Sequence, residues 1–193
     1  TITKLRKIVA LDIEEKVSKS LRDLGMPSVR FKVNFDFKPS ISPNGMDDIE
    51  FQISPNPGEP LKSLAKIASG GEISRIMLAL KSILAKADNI PVIIFDEIDA
   101  GIGGLIIKPV AEKLLQTSKF SQVICITHSP RIASYADSHY FLKKLTKQNR
   151  TITSAIRLNT ESERIEEITR MLGATSKAKE HAIELLKEVQ ECS

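Results

Sequence analysis

Two adjacent carboxylates close the apolar run Val92-Ile93-Ile94-Phe95-Asp96-Glu97. Acids at the C-terminal edge of a parallel strand face the crevice where ligands bind, and neighbouring residues on a strand point in opposite directions. Such a pair can divide two tasks, with Asp96 holding Mg²⁺, largely through water, while Glu97 orients an attacking water. The bland alternative is two solvated acids in a loop. A glycine-rich stretch follows at once, Asp99-Ala100-Gly101-Ile102-Gly103-Gly104, rich in residues that permit positive φ. It is either a plain turn before a helix or a loop belonging to the site of the acids.

Upstream, Ser69-Gly70-Gly71-Glu72 directly precedes a segment of helical apolar periodicity. A helix starting there presents unpaired N–H groups at the positive end of its dipole, a place for phosphate. Residues without a Cβ let the backbone approach closely. Ser-x-x-Glu is equally a capping box, in which Ser69 and Glu72 satisfy the helix end between them. Downstream, Thr127-His128-Ser129 ends a second apolar run, Val123 to Ile126. An imidazole there can donate to a γ-phosphate or position water, although a lone histidine after a strand is often structural. His139 and His181 have no comparable setting. No glycine is followed by lysine, so the Gly-x-x-x-x-Gly-Lys-Ser/Thr loop that grips phosphates is missing from this sequence. The chain alone is expected to bind nucleotide poorly.

The elements that position these residues are legible from periodicity. Ile2, Leu5, Val9, Ile13, Val17, Leu21 and Leu24 recur every three or four residues until Gly25 and Pro27, which predicts an amphipathic helix. From Val29 to Phe37 apolar and polar residues alternate, as they do again at Ile49, Phe51 and Ile53; an antiparallel hairpin with a turn-rich connection over Pro39 to Gly45 accounts for both. Next come a helix carrying Ile73, Ile76, Met77, Leu80, Ile83 and Leu84, a buried parallel strand from Pro91 to Phe95, a helix around Ile107 to Leu115, the strand Val123 to Ile126 and a short helix after Pro130. These are βα repeats of a layered domain. Strand-like segments at His139 to Leu142 and Thr151 to Leu158 precede helices over about 162–172 and 176–189, divided by Gly173.

Composition narrows the class. The 193 residues are 41% hydrophobic with a net charge of +4, enough for one substantial core. No apolar run approaches the roughly 18 residues of a membrane helix, and residues 1–10 lack the apolar core of a signal peptide. Cys125 and Cys192 form neither a disulfide framework nor a metal spacing, which fits a reducing cytoplasm. Lys and Arg are scattered through both ends and form no dense block, so nucleic acid is permitted as a partner without being demanded.

Taken in order, Ser69-Gly70-Gly71-Glu72, Ile93 to Glu97, Asp99 and Thr127-His128 resemble the signature, Walker B, D-loop and switch histidine of ABC-type ATPases. Nearly the whole chain is similar to the C-terminal region of the RecN family, the SMC-like ATPases of bacterial double-strand break repair. Ala68 to Arg75, Phe95 to Gly104, Asn56-Pro57-Gly58-Glu59-Pro60 and Arg170-Met171-Leu172-Gly173 carry that likeness. Ala174 departs from it where a second glycine is common. A transporter ATPase usually has Pro-Thr after the Walker B glutamate and a Leu-Asp D-loop, unlike Ile98-Asp99 here.

The resemblance implies the C-terminal lobe of an ABC/SMC-type P-loop ATPase head: an α/β fold, its sheet mostly parallel and flanked by helices, with an N-terminal helix and an antiparallel hairpin. Residues 1–25 would end a coiled-coil arm and residues 26–193 form the lobe. It implies ATP and Mg²⁺, with Ser69, Gly70, Gly71 and Glu72 contacting nucleotide held by an opposite head, Asp96 serving the metal, Glu97 as general base, Asp99 crossing a dimer interface and His128 sensing the γ-phosphate. The implied partners are an N-terminal Walker A lobe of the same protein, a second head, and DNA ends or single-stranded overhangs, in the cytoplasm at the nucleoid and away from membranes. Hydrolysis would then drive head dimerisation and DNA end tethering. A transporter-type subunit and a non-catalytic dimerising lobe stand as the alternatives.

Overall fold

The structure is a computed structural model that describes residues 2–66, 70–147 and 150–192. The chain forms two compact units, residues 1–126 and 127–193. No described helix is long and apolar enough to cross a membrane.

In the first unit, helix α1 (Ile2–Asp23) lies along the hairpin of β1 (Arg30–Ser42) and β2 (Gly45–Ser54). Odd-numbered residues of both strands share the face turned to α1. Phe31 and Phe51 pack there with ring centroids 5.5 Å apart and planes tilted by 49°, the Lys7 ammonium lies 5.8 Å from the centre of the Phe35 ring, and buried Asp47 accepts from Arg6 Nη1 at 2.7 Å and from Thr3 Oγ1 at 2.9 Å. Its hydrogen bond to the Arg6 guanidinium holds the Asp47 carboxyl below the usual carboxylate range. Only the second half of the expected apolar face of α1 is buried, at Val17, Leu21 and Leu24, whereas Ile2, Leu5 and Val9 are exposed. The helix stops as the glycine predicts. Gly25 takes φ +78° and Met26 N–H reaches back to Leu21 O at 2.9 Å, the Schellman arrangement.

The hairpin runs further than the alternation in sequence predicts. Both strands continue to a tight turn at Pro43-Asn44, with the register shifting between Phe37 and Ser42, so Phe37 and Ile41 end up exposed. A short third strand, β3 (Lys62–Ser63), pairs antiparallel with β2 and leads into a 3-10 turn at Leu64–Lys66. Helix α2 (Gly70–Asp88), strand β4 (Val92–Asp96), helix α3 (Gly104–Ser118) and strand β5 (Gln122–Ile126) follow. They form the βα unit expected, with β4 and β5 parallel. α2 is buried on more than one side, since Leu78 and Ala79 are as inaccessible as Ile76.

The parallel strands are not buried on both faces, contrary to expectation. Phe95 is covered, but Val92, Ile94, Ile124 and Ile126 are exposed, Ile94 at 64%. In register these four share one face with Asp96, and no described element of the unit covers it.

The second unit holds α4 (Pro130–Ser134), the hairpin β6 (His139–Lys147) and β7 (Arg150–Leu158), α5 (Glu161–Met171) and α6 (Ser176–Cys192). Ile168, Ala182, Leu185 and Leu186 make its core between α5 and α6. A capping box of Thr160 and Glu163 starts α5, and Gly173 at φ +99° ends it.

Candidate functional site

The glycine pair and the paired acids meet. Gly71, in the first turn of α2, lies so close to the loop after β4 that a Cβ there would stand 2.9 Å from both Ala100 Cβ and Ala100 O and 3.0 Å from Glu97 O. Real Cβ atoms do not tolerate such distances, so a glycine is required. Ser74, one turn on, donates from Oγ to Asp96 O at 2.8 Å. Arg75, only 5% exposed, donates from Nη1 to Ala100 O at 3.0 Å. Burial lowers the Arg75 pKa, and the nearby Glu72 charge works against that shift. One close approach and two hydrogen bonds thus lock the start of α2 to the loop of the acids.

Each acid has its own setting. Asp96 ends β4 with its side chain exposed, on the same open face as Ile94. Glu97 leaves the strand with φ +54° and is also exposed. A left-handed backbone is costly for a residue with a Cβ and is stored where surroundings enforce it. Here the Glu97 carbonyl closes a turn with Ala100 N–H at 3.0 Å. Asp99 is buried at 5% exposure. Cys125 faces this loop from β5, and burial, then the Asp99 and Asp96 charges, push its thiol up to about 12; it is no nucleophile at neutral pH.

Gly71 and Glu72 on α2 and Asp96, Glu97 and Asp99 on and after β4 are therefore brought together. Ser69, with its expected capping box to Glu72, lies outside the described residues, and Gly70 is the first residue of α2. His128 belongs to the second unit, exposed between two residues that shape the start of α4: Ser129 N–H donates to Thr127 Oγ1 at 2.9 Å, and Ser129 Oγ caps Ile132 N–H. Sequence reasoning assigned no role to Ser74 or Arg75. The available signal was Ser74-Arg75 inside the mostly apolar Ile73 to Leu80 run, where an unpaired charge would be expelled.

The residues fit nucleotide and metal in kind. Among the described residues no three His, Cys, Asp or Glu side chains converge into a metal cage, yet Mg²⁺ needs only one or two carboxylates when water and phosphate fill the rest of its shell. Asp96 is exposed and suits that duty, and a helix N-terminus such as that of α2 presents backbone N–H groups at its positive end, a setting that suits phosphate.

No protein-family model matches the chain. DNA repair protein RecN of Halalkalibacterium halodurans is 44% identical over 192 residues, covering 96% of this chain and 34% of its own length. DNA repair protein RecN of Treponema pallidum is 47% identical over 193 residues, covering 94% and 33%. The chain thus spans about a third of the length of the curated relatives it matches. Among solved structures, the Smc head domain with a coiled coil and joint from Pyrococcus yayanosii is similar at a TM-score of 0.58 and 21% identity, over 86% of this chain and 30% of that one. That likeness identifies the fold as that of an SMC head.

Proposed function

The chain belongs with the RecN proteins, as a stretch homologous to their C-terminal part, and on that premise we propose that it is one lobe of an ATP-hydrolysing head of a DNA double-strand break repair protein. The observation that carries the reading is the lock between α2 and the acids, in which Gly71, Ser74 and Arg75 fix Asp96 to Ala100. A phosphate-facing helix end tied rigidly to two carboxylates suits phosphoryl transfer, where the protein contributes mainly positioning and charge.

Glu97 is the general base, taking the proton of the attacking water, and its strained backbone holds the carboxylate out from the strand. Mg²⁺, when bound, neutralises phosphate charge, with Asp96 holding it. Ser69, Gly70, Gly71 and Glu72 meet nucleotide carried mainly by a second head, Asp99 stands at the interface between heads, and His128 senses the γ-phosphate. The open face of Val92, Ile94, Ile124 and Ile126 is the seat of the N-terminal lobe that carries the Walker A loop. Residues 1–25 are the foot of a coiled-coil arm, which accounts for exposed Ile2, Leu5, Ile8 and Val9. ATP-driven engagement of two heads then regulates tethering of DNA ends, and this chain alone is inactive.

The test is steady-state ATP hydrolysis by the full-length protein, with and without linear duplex DNA, beside Glu97→Gln. DNA-stimulated turnover that the substitution abolishes, with ATP-dependent dimers preserved, is the expected result. Undiminished turnover in Glu97→Gln removes Glu97 as the base, and turnover indifferent to DNA removes the repair assignment.

A further inference from the structure

The second unit separates its charges. Between Asp137 and Glu161 there is no acidic residue, while Lys143, Lys144, Lys147, Arg150 and Arg157 all occur there. That interval is the β6–β7 hairpin. Apart from Asp137, before β6, the acids of the unit sit on its helices, and several are engaged there: Glu163 caps α5, Glu167 pairs with Arg170 at 2.7 Å and Glu188 with Arg131 at 3.1 Å. Basic residues that look scattered along the sequence are gathered by the hairpin register onto one ribbon.

The two faces of the ribbon differ. One carries buried His139 and half-buried Phe141, the latter under the Arg170 guanidinium at 5.0 Å. The other carries Tyr140, Leu142 and Lys144 opposite Arg157, Ala155 and Thr153, all six exposed. Past Phe141, Lys144 stands on the open face and Lys143 on the opposite one; both are exposed, and no carboxylate of the described residues pairs with either. A two-stranded antiparallel ribbon has the width a DNA major groove admits. Lysines, an arginine and hydroxyl side chains are the groups that bind phosphate oxygens. Lys143 and Lys144 have no acid between them and the ribbon's turn, which favours a polyanion over a mixed-charge protein surface, whereas Arg157 lies at the ribbon's base, where Asp137 and Glu161 line the same cavity.

We propose that the exposed part of the β6–β7 ribbon binds the phosphate backbone of duplex DNA, independently of base sequence, through Lys143, Lys144 and Arg157; the proposal rests on the DNA-repair reading above. The experiment uses the full-length protein and the variant Lys143→Gln/Lys144→Gln/Arg157→Gln. Affinity for two unrelated fluorescent duplexes is followed by anisotropy across a salt series, and ATP turnover is measured without DNA. Removing one cation that neutralises a phosphate should lower the slope of log affinity against log salt by about 0.9. The triple variant should therefore bind both duplexes with a slope smaller by about 2 to 3, while DNA-free turnover stays at the parental rate. Parallel salt plots for variant and parent overturn the proposal. A variant that loses DNA-free turnover or thermal stability together with affinity overturns it too, because the ribbon is then covered by the protein itself. A parent that binds no duplex fails the repair reading, whereas a binding parent with an unaffected variant fails the ribbon alone.

Discussion

Gly71→Ala is the substitution whose cost the structure specifies best. The new methyl would stand 2.9 Å from Ala100 Cβ and Ala100 O and 3.0 Å from Glu97 O. Two of these atoms are backbone carbonyls, each already committed: Ala100 O accepts from buried Arg75 and Glu97 O accepts from Ala100 N–H. The loop cannot swing aside as a flexible side chain would, and α2 must retreat by roughly half an ångström before the contact becomes ordinary. Overpacking of this kind costs about 1–3 kcal/mol, set against about 0.8 kcal/mol that alanine gains over glycine within a helix. The proper control is Gly104→Ala at the start of α3, where a Cβ meets nothing within 4 Å, so only the favourable propensity remains. Urea unfolding followed by circular dichroism should place Gly71→Ala below the parent and Gly104→Ala at or above it. With a slope near 2 kcal/mol per molar urea the two variants should differ by about 1 M in midpoint. Equal midpoints at equal slope would show that α2 and the loop do not touch, and the proposed site would lose its rigid half.

Three further outcomes follow from backbone and burial. Glu97→Gly should melt higher than Glu97→Gln, by about 1 kcal/mol in stability, because only glycine relieves the φ of +54°; both should lack turnover in the full-length protein, and equal melting of the two would deny the strain. Ala174→Gly should stabilise the second unit by about 1 kcal/mol, since Ala174 holds φ +56° after Gly173, and an unchanged thermal midpoint would count against that conformation. Burial, then the Arg164 charge, depress the pKa of His139, while Glu167 opposes them. Folding therefore favours the neutral ring, the unfolded chain binds the proton more readily, and stability is complete above the ordinary histidine value near 6.5. It should fall as pH drops below about 6.5, and His139→Phe should flatten that limb; an identical pH profile in the variant would refute the assignment.

Local pattern was readable wherever one short stretch decides the outcome. Alternation from Val29 to Phe37 marked β1, Gly25 and Gly173 marked helix ends, and the run ending in Asp96-Glu97 marked the edge of a strand. What escaped depends on partners distant in sequence. The expectation of a buried β4 failed because periodicity reports apolarity and not what covers it: Ile94 is as apolar as Phe95 yet 64% exposed. The same holds for α1, whose stripe is continuous in sequence but packed only beyond Ile13. β3 has two residues and no pattern to detect. Arg75 could be seen as an anomaly in an apolar helix, but its partner, Ala100 O, lies 25 residues away.

The inactivity proposed for this chain by itself follows from how order is distributed around the acids. Gly71, Ser74 and Arg75 bind the loop from within the unit, so the relation of the α2 start to Asp96, Glu97 and Asp99 needs no partner to be set. Asp96, by contrast, projects on a face that no described element of the unit covers, and the sequence supplies no lysine-bearing phosphate loop to oppose it. A carboxylate in open solvent is hydrated and gains little by holding a metal that water holds as well, whereas the same group in a covered crevice interacts far more strongly. Geometry is thus prepared in this chain, while on the proposed function the low-dielectric surroundings come from the lobe seated on Val92, Ile94, Ile124 and Ile126. Adding an N-terminal lobe should therefore confer nucleotide affinity and turnover together, and mutations confined to that apolar face, such as Ile94→Lys, should abolish both while leaving the α2 lock and the fold of this unit intact.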